Sequence, residues 1–251
     1  MTDLIKSRDS VSLCCPFCGL GCDDLSLRND ERLSVDVRGC AIAGARFADL
    51  LSVPGTGHRP RLRGESVQPE QALAEAARLL TSARLPLFAG LRGDLGDLRG
   101  LLTLAAVCGG MLEHAEGAAL ARVARVLEET GWLVTSLGEA RNRADVVVII
   151  GDGVLAAFPR LGERVLHAAD RLHGENPPRL ILIGEDRDAA DALDAELINI
   201  GRADLRNFIA TVRARVGGRV ISGDAFPVAG PLAEALAAAR YPVLCFSAAA
   251  L

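Results

Sequence analysis

Aromatic side chains are scarce. One Trp, one Tyr and seven Phe make up 4% of the 251 residues. A core must therefore be built from aliphatic side chains, and half of the chain is hydrophobic, with Ala and Leu abundant. A strong excess of charge is also missing: 28 Lys and Arg against 32 Asp and Glu leave a formal net charge of -4. That balance carries no electrostatic footprint for nucleic acid. No uninterrupted apolar run approaches the ~20 residues of a membrane span. The opening MTDLIKSRDS has no apolar signal-peptide core, so a cytoplasmic protein is expected. Several sequence signatures are absent as well: no GxGxxG, no P-loop and no GxSxG elbow occurs. There is no repeat at a solenoid period. What remains is too apolar to stay disordered, and long enough for one large domain or two small ones.

Cysteine is unevenly placed. Of Cys14, Cys15, Cys18, Cys22, Cys40, Cys108 and Cys245, five fall within the first 40 residues. A disulfide framework suits small secreted folds, whereas clustered cytosolic thiols point to a metal or a cluster. From Cys15 the spacing is Cys-x2-Cys-x3-Cys-x17-Cys, ending at Cys40. Cys15, Cys18 and Cys22 share a loop rich in Gly and Pro, and Cys40 closes from a later turn. Four thiolates serve either structural zinc or an iron–sulfur cluster. Zinc ribbons favour two matched Cys-x2-Cys knuckles, so three close cysteines with a distant fourth lean toward [4Fe–4S]. Reduced thiols at a vestigial, empty site are the bland alternative, and Cys14 competes with Cys15 for the first position.

Hydrophobic periodicity outlines the rest. Residues 24–38 read as a short hairpin turning at Asn29-Asp30, and AIAGARFADLLSV as a helix ending before Pro54. PGTGHRPRLRGESVQP reads as a connection that closes an N-terminal module. Beyond it, helices are predicted after Pro69, over Leu98–Val107, around Leu120–Glu129, and over Arg160–Arg171, Asp186–Leu193, Ala203–Val216 and Pro231–Arg240. Between them lie strand-like runs: LPLFAG, GGMLEHA, Val146–Ile150, RLILIG, ELINIG, a short GRVIS and YPVLCFS. Strands alternating with helices imply a parallel sheet with right-handed crossovers. Val146–Ile150 is five β-branched residues between Asp145 and Gly151, the pattern of a strand buried on both faces.

Other candidates for chemistry are weaker. GDG at 151–153 follows a strand, but glycine there has a geometric explanation. His58, His114, His167 and His173 show no zinc-ligand spacing. Only His114, flanked by Glu113 and Glu116, follows a strand-like run and suits acid–base work. Cys108 and Cys245 sit in apolar settings and read as packing residues. Glu139, Arg141, Asn142 and Arg143 precede the best strand, where they would bind an anion or a backbone, or form a charged helical turn.

CPFCGLGCDD at 15–24, GCAIAG around Cys40 and LGEARNRADVVVIIG at 137–151 together resemble the B subunit of formylmethanofuran dehydrogenase, a family of the molybdopterin oxidoreductases. The resemblance runs in order over most of the chain. It implies Cys15, Cys18, Cys22 and Cys40 as ligands of a [4Fe–4S] cluster. The family's redox members bind tungsten or molybdenum bis-pterin through a Cys followed by His, after the second strand. Here that loop reads MLEHAEGAALAR: the aligned position falls near Ala119, followed by Leu120, and Cys108 is followed by Gly109. No molybdopterin or tungstopterin is expected, and no catalytic or cofactor-binding residue beyond the thiols is assigned. The chain also stops at Leu251, before the family's later pterin-binding domains.

The expected fold is α/β: a small cysteine-rich module (1–55), then parallel-sheet, Rossmann-like α/β units (65–251), truncated relative to molybdopterin oxidoreductases. Such a form is similar to the B subunits of bacterial formyltransferase/hydrolase complexes in methylotrophs. Those complexes move a formyl group from a tetrahydromethanopterin carrier to methylofuran and release formate. The implied role is a non-catalytic scaffold, with amidohydrolase-like, formyltransferase and C-type subunits as partners. The alternatives are a redox subunit with a pterin metal centre, and a small iron–sulfur electron-transfer protein.

Overall fold

The computed structural model describes residues 10–29, 32–52, 59–91, 93–173, 176–221, 223 and 225–247. The first nine residues, the turn residue Asp30, the start of the 54–69 connection through His58, and the last residue of GRVIS lie outside the described residues. The chain forms two compact units. One joins Met1–Ser52 with Leu133–Leu251, and the other is Val53–Trp132.

The first unit begins with β1 (Val11–Leu13), β2 (Leu25–Asn29) and β3 (Leu33–Asp36), followed by helix α1 (Ala41–Ser52). The three strands form an antiparallel sheet in the order β1-β2-β3. β1 was not evident in the sequence, because three residues carry too little alternation to read.

The second unit holds a small hairpin, β4 (Arg61–Leu62) with β5 (Glu65–Ser66), and then α2 (Pro69–Ser82), β6 (Leu87–Leu91), α3 (Leu95–Cys108), β7 (Met111–His114) and α4 (Gly117–Thr130). β6 and β7 pair in parallel. α3 starts in a reciprocal capping box between Asp94 and Asp97, a local device that satisfies its first amides. Two parallel strands cannot enclose a core. Leu87, Met111, Leu73, Leu102 and Val126 are accordingly exposed.

The remainder of the first unit supplies α5 (Leu137–Arg143), β8 (Val146–Ile150), α6 (Gly153–Ala157), a π-helical turn at Gly162–Leu166, β9 (Arg179–Gly184), α7 (Arg187–Ala192), β10 (Glu196–Asn199), α8 (Arg202–Val216), α9 (Ala229–Ala238) and β11 (Pro242–Phe246). These strands form a parallel sheet in the order β10-β9-β8-β11. β8 is central, and the chain crosses it between β10 and β11. The run Val146–Ile150 is buried throughout, as its composition predicts. Val147, Ile149, Leu180, Leu182 and Val243 face one core with Val154, Leu161 and Leu166. Val148, Ile150, Ile181, Ile183 and Ile198 face the other, under Phe208, Val212 and Leu232.

Mixed α/β architecture with parallel sheets follows the expectation, with three differences. The strands expected in one region after residue 65 form two separate parallel sheets, and the cysteine-bearing segment groups with the larger one. The helix expected over Arg160–Arg171 is a π-helical turn followed by irregular chain. Tertiary contacts override its periodicity: His173 N–H donates to the Asn142 carbonyl (3.2 Å) and Leu172 N–H to Asn142 Oδ1 (3.0 Å). Finally, the described part of GRVIS has no strand.

Candidate functional site

The cysteine loop leaves β1 and returns to β2. Its two ends are tied where Cys15 N–H donates to the Cys22 carbonyl at 2.8 Å. Gly19 and Gly21 adopt φ of 78° and 60°, left-handed positions that side chains disfavour. These turns fold the loop back on itself. Cys40 lies immediately before α1, and its carbonyl accepts from Gly44 N–H at 2.8 Å. Phe17 of the loop meets Phe47 of α1 edge-on, with centroids 4.9 Å apart.

The result is one small core. Cys15, Cys22 and Cys40 are buried together with Leu25 and Ala43. Cys18 is half-buried. It lies near enough to Cys22 to influence its ionisation. Cys14 is exposed and Cys15 buried, so Cys15 faces this core. Burial pushes the Cys22 thiol pKa up, partly opposed by the positive charges of Arg160 and Arg164. The donor set suits a soft metal centre: four thiols in one small module, three of them shielded from water. As placed, however, no group of three or more His, Cys, Asp or Glu among the described residues could hold a metal ion.

Directly after Cys22 come Asp23 and Asp24, which anchor the loop to the parallel-sheet part of the unit. Arg160 is the one charged residue buried among the described residues, at 5% exposure. Its Nη1 and Nη2 donate to the two Asp24 oxygens at 2.8 and 2.6 Å. Its Nε and Nη2 donate to Glu163 at 3.0 and 2.6 Å. Arg164 pairs with Asp23, and more distantly with Asp24 (3.7 Å). Arg38 Nε donates to the Asp24 carbonyl at 3.2 Å from the Cys40 side. The Arg160 bonds hold the Asp24 carboxyl down at a pKa of about 2. Sequence reasoning missed this network. Asp23-Asp24 was visible, but Arg160 stands 136 residues away, beyond any local signal.

The other candidates resolve into structural roles. Arg141 pairs with Asp170. Arg143 bonds Glu139 at 3.0 Å and lies over the Tyr241 ring, 5.0 Å from its centroid. Asn142 holds the chain at Leu172 and His173. Asp145 accepts from the amides of Arg240 (2.7 Å) and Tyr241 (3.0 Å), docking β11 beside β8. In the turn after β8, Asp152 Oδ1 accepts from the amides of Glu185 (2.9 Å) and Asp186 (3.0 Å). His114 Nδ1 accepts from Glu116 N–H at 3.0 Å, and Glu113 Oε2 from Gly90 N–H at 3.1 Å. Glu113 thus ties β7 to β6, and His114 closes the turn that follows β7. His167 and His173 are exposed. Cys108 and Cys245 are half-buried, and burial raises the Cys245 pKa. Ala119, near which the resemblance puts the ligand position, is a buried helix residue of α4. Among the described residues, no helix is long and apolar enough to cross a membrane.

A thiol-bearing antiparallel module fastened by a buried arginine to a parallel α/β sheet defines the class: an α/β protein with a candidate N-terminal cysteine centre. No family model matches the chain. Individual relatives do. It is 32% identical over 154 residues to the B subunit of tungsten-containing formylmethanofuran dehydrogenase 2 from Methanocaldococcus jannaschii, covering 58% of this chain and 35% of that one. It is 29% identical over 195 residues to the B subunit of the formyltransferase/hydrolase complex Fhc from Methylorubrum extorquens, covering 74% of this chain and 50% of that one. Its structure matches the crystal structure of the formyltransferase/hydrolase complex (FhcABCD) from Methylorubrum extorquens in complex with methylofuran. There the TM-score is 0.64 with 25% identity, over 76% of this chain and 52% of that one. The chain is therefore a relative of formylmethanofuran dehydrogenase and Fhc B subunits, as its motifs indicate. It spans between about a third and a half of the length of these relatives.

Proposed function

We propose that this chain acts as a B-type structural subunit within a formyltransferase/hydrolase complex. In this reading it does no chemistry of its own. Partner subunits of amidohydrolase-like, formyltransferase and C-type character move a formyl group from a tetrahydromethanopterin carrier to methylofuran and release formate. The observation that carries the reading is the match to the Fhc complex in both sequence and fold. Two others support it. Where redox relatives are expected to present Cys-His, this chain has Ala119-Leu120, and Cys108 is followed by Gly109. The exposed leucines of α2, α3 and β6 are the kind of surface a subunit hides in an assembly.

Within this reading Cys15, Cys18, Cys22 and Cys40 are the ligands of a [4Fe–4S] centre that staples the N-terminal module. Zinc would serve the same mechanical purpose. Such a centre would supply folding energy to the module, and this chain's residues would hold it and shield it from water.

The test is co-expression with the neighbouring subunits, followed by metal analysis and formyl-transfer assays on the purified assembly. The expected result is co-purification, with iron or zinc bound and neither tungsten nor molybdenum. Cys18→Ser should then lower the yield of assembled complex while each assembled complex turns over normally. Stoichiometric tungsten or molybdenum would overturn the reading in favour of a redox subunit. Selective loss of turnover in fully assembled Cys18→Ser complex would overturn the scaffold role.

A further inference from the structure

We propose that Arg160 is the positioning residue of the thiol loop, holding Cys15–Cys22 in its buried conformation through a two-pronged grip on Asp24. The inference rests on the reading of the four cysteines as a ligand set, and deepens it.

A guanidinium at 5% exposure needs its charge and its donors answered locally. Four of its N–H bonds are answered, two by the two oxygens of Asp24 and two by those of Glu163, its neighbour three residues on. The fork to Asp24 fixes direction as well as distance. Asp24 is two residues from Cys22, and Cys22 is bonded through its carbonyl to Cys15. A pull on Asp24 is therefore transmitted to both ends of the loop. The same residue is held by Arg38 from the turn that carries Cys40. Asp24 is thus the junction at which the loop, the Cys40 turn and the sheet-bearing part of the unit meet. At the Cys22 end Arg164 adds a more exposed pair to Asp23, and between Cys18 and Cys22 side-chain packing is sparse. Gly19 and Gly21 offer no side chain, and only Leu20 packs against the sheet core.

A buried ion pair contributes little net stability, while loss of one partner leaves an unanswered charge. Its role here is to choose one loop conformation, so a lysine cannot substitute. A point charge lacks the planar fork.

The experiment uses the reduced, metal-free full chain. Native iodoacetamide labelling is followed cysteine by cysteine through peptide mass spectrometry, in the wild type, Arg160→Lys, Asp24→Asn and the surface-pair control Arg179→Gln. In Arg160→Lys and Asp24→Asn, labelling of Cys15 and Cys22 should rise by about tenfold or more, reporting local opening. Cys245, in the sheet, should stay at its wild-type rate, and Arg179→Gln should label as wild type throughout. Unchanged Cys22 labelling with a protected Cys245 overturns the proposal. A parallel rise at Cys245 also overturns it, by making Arg160 a general stabiliser of the sheet. Anaerobic reconstitution with ferrous iron and sulfide, read by bound iron and visible absorbance, separates the two readings. If the wild type takes up no cluster while the labelling pattern holds, the ligand reading fails and the positioning role stands. If Arg160→Lys loads the same cluster with the same spectrum as the wild type, positioning fails.

Discussion

Gly184 closes β9 where the side chain of Asp152 crosses from the turn after β8. A Cβ added at Gly184 would lie 2.1 Å from Asp152 Oδ1 and 3.0 Å from its Cγ, so Gly184→Ala must push the carboxylate aside. Such overpacking costs about 1–3 kcal/mol. The displaced oxygen also serves the Glu185 and Asp186 amides at 2.9 and 3.0 Å. Hydrogen bonds to a charged acceptor are worth about 1.5–3 kcal/mol each, toward the low end at an exposed turn where water replaces them. The expected loss is thus about 2–4 kcal/mol for Gly184→Ala, and about 1–3 kcal/mol for Asp152→Ala. In the double variant the obstruction is gone, so its stability should lie close to that of Asp152→Ala alone. Urea unfolding followed by far-UV circular dichroism measures all four proteins. Hydrogen exchange at Ile150 and Ile183 reports the same local unit. If the two substitutions add within about 0.5 kcal/mol, the steric reasoning is wrong.

Ile149 and Leu182 are fully buried on one face of the central strands, so either one replaced by Ala should cost about 2–5 kcal/mol in urea midpoints. Leu244, 53% exposed, should change stability by no more than about 0.5 kcal/mol when replaced by Ala. For Asp145, burial raises the pKa, but the amides of Arg240 and Tyr241 outweigh it and leave the carboxyl below its ordinary value. Its stabilisation is therefore complete above the unfolded pKa of ~3.9, and is lost as pH falls through the lower folded value. The gap between wild type and Asp145→Asn should accordingly be wide at neutral pH and shrink in strong acid; a gap independent of pH would contradict this. In native alkylation of the metal-free chain at mildly alkaline pH, exposed Cys14 should react first. Cys245, with its burial-raised pKa, should react among the last.

Much of the fold was legible where local pattern and tertiary context agree. Val146–Ile150 could only be a strand buried on both faces, and the helix after Pro69 begins at that proline. The sequence also marked LGEARNR as special, with a charged helical turn and anion or backbone binding both open, and the structure has the helical turn. In the structure its charges are spent on Asp170, Tyr241 and the chain at Leu172. Periodicity failed over Arg160–Arg171. A turn held by Asn142 from 30 residues away, and an arginine committed to Asp24, leave no local trace. For the same reason the cysteine spacing revealed the thiol loop without revealing what fastens it. The single sheet expected after residue 65 split in two because a pattern of alternating elements cannot say which strands pair.

The larger unit is assembled from the two ends of the chain, with Val53–Trp132 inserted between them. During synthesis the cysteine loop must wait while the 136 residues separating Asp24 from Arg160 are made. At ribosome speeds of about 5–20 residues per second, that delay is roughly 7–27 seconds. Asp24 therefore spends its first seconds without the guanidinium that fixes it, and the loop takes its folded conformation only once the second segment of the larger unit has emerged.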